Sequence, residues 1–148
     1  MIKDVVDKWH AYLRGELDGG LDALLDDDVV FYSPIVFTPQ VGKAITTLYL
    51  TAAAQTFPGD SATGSTGGSA AAGRSFHYTK EVFAGDVAVL EFETQIKGKY
   101  VNGVDIITIN SDDRIVEFRV MIRPLQAVNL IHEQMRAMLE RLKSQKPS

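Results

Sequence analysis

The chain has no cysteine among its 148 residues. Disulfide bridges and thiolate-ligated zinc are therefore excluded, and a reducing compartment is the expected setting. No apolar run approaches the roughly 20 residues that a membrane-spanning helix needs. Lys and Arg form no cluster, and the net charge is −4, which argues against nucleic acid as a partner. The opening MIKDVVDKWH is amphipathic and lacks the basic stretch and apolar core of a secretion signal. What these absences leave is a soluble, cytoplasmic protein, with no membrane partner, forming one domain over 1–148 that is large enough to bury a core.

The patterns that are present divide the chain in two. Ile2, Val5, Val6, Trp9, Tyr12 and Leu13 recur at helical spacing, and Gly19-Gly20 end that segment. A short second helix, LDALL, leads through Asp26-Asp27-Asp28 into the strand VVFYS. Three adjacent carboxylates running into a strand cannot converge on one ion, so the triplet reads as a solvated helix end. Pro34 and Pro39 interrupt the strand. A third helix is predicted from about 42 to 57, with Ile45, Leu48, Tyr49 and Ala52 on one face. Pro58-Gly59 stop it. The segment that follows, GDSATGSTGGSAAAG, has no apolar side chain larger than alanine and cannot bury enough surface to offset its ordering entropy. Residues 58–73 are expected to form a flexible Gly/Ser/Ala-rich surface loop, a length that in some proteins acts as a lid.

From Arg74 onward the period becomes two. Phe76, Tyr78 and Val82 alternate with His77, Thr79 and Glu81. Val87, Val89, Glu91 and Glu93 alternate with Ala88, Leu90, Phe92 and Thr94. Turns at Gly85-Asp86, Lys97-Gly98 and Ser111-Asp112-Asp113 separate four long strands, which predicts an antiparallel meander. Pro124 opens a last helix, whose stripe is Leu125, Val128, Ile131, Met135, Met138, Leu139 and Leu142. Helices, a curved antiparallel sheet and a closing helix make an α+β architecture.

Asp105 carries the most chemical information. It lies within VDIITI, on the same strand face as Ile107 and Ile109. Desolvation there raises a carboxyl pKa and makes Asp105 a candidate proton donor or acceptor. The alternative is a structural Asp, paired with Arg119 or Arg123 on the next strand or bound to backbone amides. His10, His77 and His132 lie on separate elements without ligand spacing, so no metal is expected. Ser33 lacks the glycines of a nucleophile elbow. No phosphate-binding loop is present, and no cofactor is implied. Glu117 and Arg119 share a strand face and read as a solvent-side or interface pair.

Three segments, LDALLDDDVVFYSPIV, HYTKEVFAGDVAVLEF and GVDIITINSDDRIVEFRVMI, in this order of elements, resemble the nuclear transport factor 2-like superfamily, in its SnoaL-like and ketosteroid-isomerase-like branch. The resemblance implies a cone-shaped sheet wrapped by the N-terminal helices around an apolar pocket. Ketosteroid isomerase works with an Asp base and an oxyanion hole made of a Tyr and a protonated Asp. By resemblance, the protonated Asp falls on Asp105, the base on Ser33 and the oxyanion Tyr on Trp9. With two of those three groups replaced, ketosteroid isomerase activity itself is not expected. Parity and resemblance together turn Trp9, Leu13, Phe31, Ser33, Tyr49 and Phe76 inward, with Tyr78, Leu90, Phe92, Asp105, Phe118 and Val120. A limonene-epoxide-hydrolase-like site would need an Asp-Arg-Asp arrangement, and parity places no arginine inside.

The functional expectation is a pocket protein for a small, mostly apolar molecule. A SnoaL-like isomerase, cyclase or hydrolase with Asp105 as general acid or base is the alternative. A dimeric interaction module is the third reading. The convex sheet face, with Val87, Val89, Glu91, Glu93, Glu117, Arg119 and Met121, suits a homodimer contact.

Overall fold

The computed structural model describes residues 1–56 and 76–145; the loop expected at 58–73 and the predicted end of the third helix at 57 lie outside them. Helix α1 (Ile2–Leu13) buries Ile2, Val5, Val6 and Trp9, the spacing expected of an amphipathic helix. Helix α2 (Gly20–Leu24) follows Gly19, whose φ of 86° is a left-handed conformation that glycine adopts without penalty.

Strand β1 (Leu25–Tyr32) starts earlier than the apolar pattern suggests, because Asp26, Asp27 and Asp28 belong to it. Its pairing is interrupted between Leu25 and Val30, and this irregular stretch holds the acidic triplet. Asp26 accepts hydrogen bonds from the Asn110 side chain at 3.0 Å and the Asp28 amide at 3.0 Å. Asp27 stands 3.4 Å from Lys43. The triplet thus belongs to a strand entry rather than a helix end, with Asp27 and Asp28 exposed to solvent as expected. No group of three or more His, Asp or Glu side chains among the described residues is placed to hold a metal ion.

After the short β2 (Gln40–Val41), helix α3 (Lys43–Thr56) buries Thr46, Leu50 and Ala52. Ile45 and Leu48, expected on its inner face with Tyr49, are half-buried. The helix packs against both β1 and the last helix, so its covered surface is wider than one stripe. Strands β3 (His77–Ala84), β4 (Val87–Ile96), β5 (Lys99–Ile109) and β6 (Ile115–Arg123) form the antiparallel meander read from the period-two pattern. Strand β1 joins β6 in parallel, giving a mixed, curved six-stranded sheet of order β2-β1-β6-β5-β4-β3.

The alternation fails in β3. Pairing slips between Tyr78 and Lys80, a bulge that inserts Thr79 and reverses parity beyond it. Val82 therefore stands opposite Val89 and is 49% exposed, instead of sharing the face of Phe76 and Tyr78. Phe83 takes the inner position opposite buried Ala88. Glu81 also turns inward, where its carboxylate meets His10 of α1 at 2.6 Å. Helix α4 (Leu125–Gln145) closes the fold, with Ala127 and Ile131 buried and Val128, Met135, Met138, Leu139 and Leu142 half-buried. Leu125, assigned to the buried stripe, is 73% exposed: it is the first residue of the helix, one position past Pro124, and lies off the face that carries Ala127 and Ile131. No described helix is long and apolar enough to cross a membrane.

Candidate functional site

The inner face of the sheet, with α1, α3 and α4 over it, leaves a cavity of about 420 Å³. Its walls are largely aromatic. Phe76 stacks on Phe92 with ring centroids 4.7 Å apart, and Phe31 stacks on Tyr49 at 5.3 Å. Trp9 meets Phe118 at 5.0 Å. One glycine shapes this wall: a Cβ on Gly103 would overlap the Phe92 ring and lie 2.7 Å from the Met121 carbonyl oxygen. The ring of Phe92 therefore depends on the missing side chain in β5.

Asp105 enters this apolar wall from the middle of the sheet. Its cross-strand neighbours on the same face are Leu90 and Val120, and only 5% of its surface is exposed. Burial pushes its carboxyl up to about 7, against a smaller lowering by the hydrogen bond from Tyr78. The Tyr78 hydroxyl donates to Asp105 Oδ2 at 2.6 Å and accepts from Trp9 Nε1 at 2.9 Å. Burial first, and then the Asp105 charge, hold the Tyr78 phenol well above its usual range. The second Asp105 oxygen has no hydrogen-bond partner among the described residues, and the carboxyl lines the cavity. A half-protonated acid near neutral pH, facing an apolar space, can donate a hydrogen bond to an oxygen or transfer a proton.

No family model and no curated protein matches the chain. Solved structures do. A steroid delta-isomerase from Pseudomonas aeruginosa superposes with a TM-score of 0.80 at 26% identity, covering 97% of this chain and 94% of that one. An NTF2-like protein of unknown function from Mesorhizobium loti gives 0.64 at 18% identity, with 83% and 91% covered. A putative polyketide cyclase from Sinorhizobium meliloti gives 0.56 at 16% identity, with 80% and 94% covered. The chain thus has the fold of the nuclear transport factor 2-like superfamily and is similar to structures of its SnoaL-like and ketosteroid-isomerase-like branch.

Within this nuclear transport factor 2-like fold, eleven of the twelve side chains turned inward by parity and resemblance line one cavity: Trp9, Leu13, Phe31, Ser33, Tyr49, Phe76, Tyr78, Phe92, Asp105, Phe118 and Val120. Leu90 does not; it is wholly buried in the core behind them. Neither arginine considered as a partner reaches Asp105. Arg119 pairs with Glu117 at 2.8 Å and lies over the Tyr32 ring, and Arg123 donates to Asn102 at 2.7 Å. Ser33 Oγ accepts from the amides of Ile35 at 2.9 Å and Val36 at 3.1 Å. It closes the turn that follows β1, so its lone pairs serve the backbone.

Several lining residues escaped the strand arithmetic. Pro34, Ile35 and Val36 reach the cavity from the turn after β1, where no period applies. His132, Arg136, Glu140 and Lys143 reach it from α4, and Arg136 is an exposed arginine at the cavity's edge that strand parity could not supply. Their i, i+4, i+8, i+11 spacing beside the stripe of Ile131, Met135 and Leu139 was the available signal. The interior half of that spacing reads as packing, and the polar half as solvent.

Proposed function

We propose that this chain binds a small, mostly apolar molecule whose carbonyl or hydroxyl oxygen meets Asp105. The observation that carries the reading is a buried carboxyl, backed by Tyr78 and Trp9, facing an aromatic cavity of about 420 Å³. That volume falls in the usual range for ligand sites, roughly 300–1,000 Å³. The test uses Prodan, a neutral naphthyl ketone dye whose emission reports both apolarity and hydrogen bonding to its carbonyl. Saturable binding is expected, and Asp105→Leu should shift the bound dye's emission to shorter wavelength by removing the donor. Absence of saturable binding, or emission unmoved by Asp105→Leu, overturns the reading.

A second reading is catalytic, supported by the raised pKa of Asp105 and by the names of the similar proteins, a steroid delta-isomerase and a putative polyketide cyclase. Here Asp105 acts as general acid in an isomerisation, cyclisation or hydration. Ketosteroid isomerase chemistry with a base at Ser33 does not fit, since that hydroxyl is already held by two backbone amides. The outer sheet face is the surface on which we place a second copy of the chain. Met121 there is 52% exposed, beside half-buried Val87 and Val89, and the Glu117–Arg119 pair supplies a polar rim.

A further inference from the structure

The cavity's two ends differ in chemistry. Asp105 and the aromatic rings form the buried end, where Ile131 packs in one cluster with Phe92 and Val101. Beyond Ile131, α4 borders the cavity with an apolar row, Met135 and Leu139, and an exposed polar row, His132, Arg136, Glu140 and Lys143. At a rise of about 1.5 Å per residue, Arg136 and Lys143 stand about 8 and about 18 Å along the helix from Ile131. Those distances are the length of a fused-ring body or a medium acyl chain.

Among the described residues the two cations have no partner. Arg136 with Glu140 and Glu140 with Lys143 have the spacings of helix-surface ion pairs. Nevertheless neither cation makes a hydrogen bond or ion pair with a described residue. Other cations of the fold do: Lys43 with Asp22 and Asp27, Arg119 with Glu117, and Arg123 with Asn102. The chain as a whole carries −4, so its overall field does not attract anions and any selection for them must be local. The mouth offers two permanent positive charges against the single carboxylate of Glu140.

We infer that the pocket's ligand is an amphiphile, its apolar body filling the cavity and a carboxylate, sulfate or phosphate monoester held between Arg136 and Lys143. This rests on the apolar-pocket reading above and names its substrate class. A matched pair of fluorescent dyes tests it: anilinonaphthalene sulfonate and phenylnaphthylamine share a scaffold and differ by the sulfonate. Wild-type protein should favour the sulfonate by roughly 5- to 10-fold, the scale of two partly exposed ion pairs. The preference should fall toward unity in the R136Q/K143Q double variant and with added salt. Ala53→Trp, which fills the cavity from α3, should weaken both dyes. A preference that survives R136Q/K143Q overturns the anion site and leaves the pocket reading standing. Dyes that do not bind saturably, or that ignore Ala53→Trp, overturn both.

Discussion

The carboxyl of Asp105 gives a quantitative handle on the site through stability alone. Its pKa rises from 3.8 to about 7 on folding, chiefly by burial. At about 1.4 kcal/mol per pH unit, ionising it in the folded chain is disfavoured by up to about 4 kcal/mol. The folded state keeps a proton that the unfolded chain releases, so this contribution is fully present below about pH 4. It is lost as pH rises through about 7 and stays lost above that. Asp105→Asn is neutral at every pH and keeps an acceptor for the Tyr78 hydroxyl. It carries a constant cost for an amide with fewer partners, about 1 kcal/mol. The stability difference between variant and wild type should therefore turn toward the variant by up to about 4 kcal/mol between about pH 4 and pH 8. Urea denaturation at a series of pH values measures it by linear extrapolation. Parallel stability curves for the two proteins would refute the account, because they would mean that Asp105 ionises as freely when folded as when unfolded.

Other consequences are more local. Gly103→Ala should destabilise the fold by about 1–3 kcal/mol, the usual cost of overpacking, because its Cβ meets the Phe92 ring and the Met121 carbonyl; an unchanged urea midpoint would show that Phe92 moves freely. Tyr78→Phe should raise the Asp105 pKa further, since the hydroxyl now lowers it, and carbon NMR of the Asp105 carboxyl would follow the titration; a drop would contradict the hydrogen bond. Light scattering should return a dimer at micromolar concentration and a monomer for Met121→Lys, whereas a wild-type monomer would remove the outer sheet face as an interface.

Much of this architecture was legible because burial on a strand has period two. The meander β3–β6 and the inward position of Asp105 follow directly from it, since one misassigned residue would have put Ile107 and Ile109 in solvent. The same rule misplaced Val82, as a bulge at Thr79 is invisible to parity: Thr is at home in a strand, and nothing in HYTKEVFA marks the slip. The parallel docking of β1 on β6 was hidden for another reason. It depends on a contact between segments some 90 residues apart, and parallel neighbours leave no turn signature between them. On α4 the apolar row was readable, but whether its polar neighbours face bulk water or a cavity mouth depends on α3 and the sheet, not on α4.

The partner of Asp105 comes from a different place in the chain than the resemblance implies. Relatives with isomerase activity, by the resemblance, supply the tyrosine beside their protonated Asp from the first helix. Here α1 supplies Trp9, and the tyrosine comes from β3 as Tyr78. An indole N–H cannot ionise and can only donate, so Trp9 fixes the Tyr78 hydroxyl as its acceptor and leaves the phenol's one proton for Asp105. The direction of donation matters. With Tyr78 donating into Asp105 Oδ2, the other oxygen, which has no hydrogen-bond partner among the described residues, is left to carry the proton of the neutral carboxyl. At the opposite position, Ser33 has spent its lone pairs on the turn amides. Among the described residues, the site therefore has an acid without the base that the resemblance would place at position 33. That asymmetry is why ligand binding stands ahead of catalysis as the function proposed for this cavity.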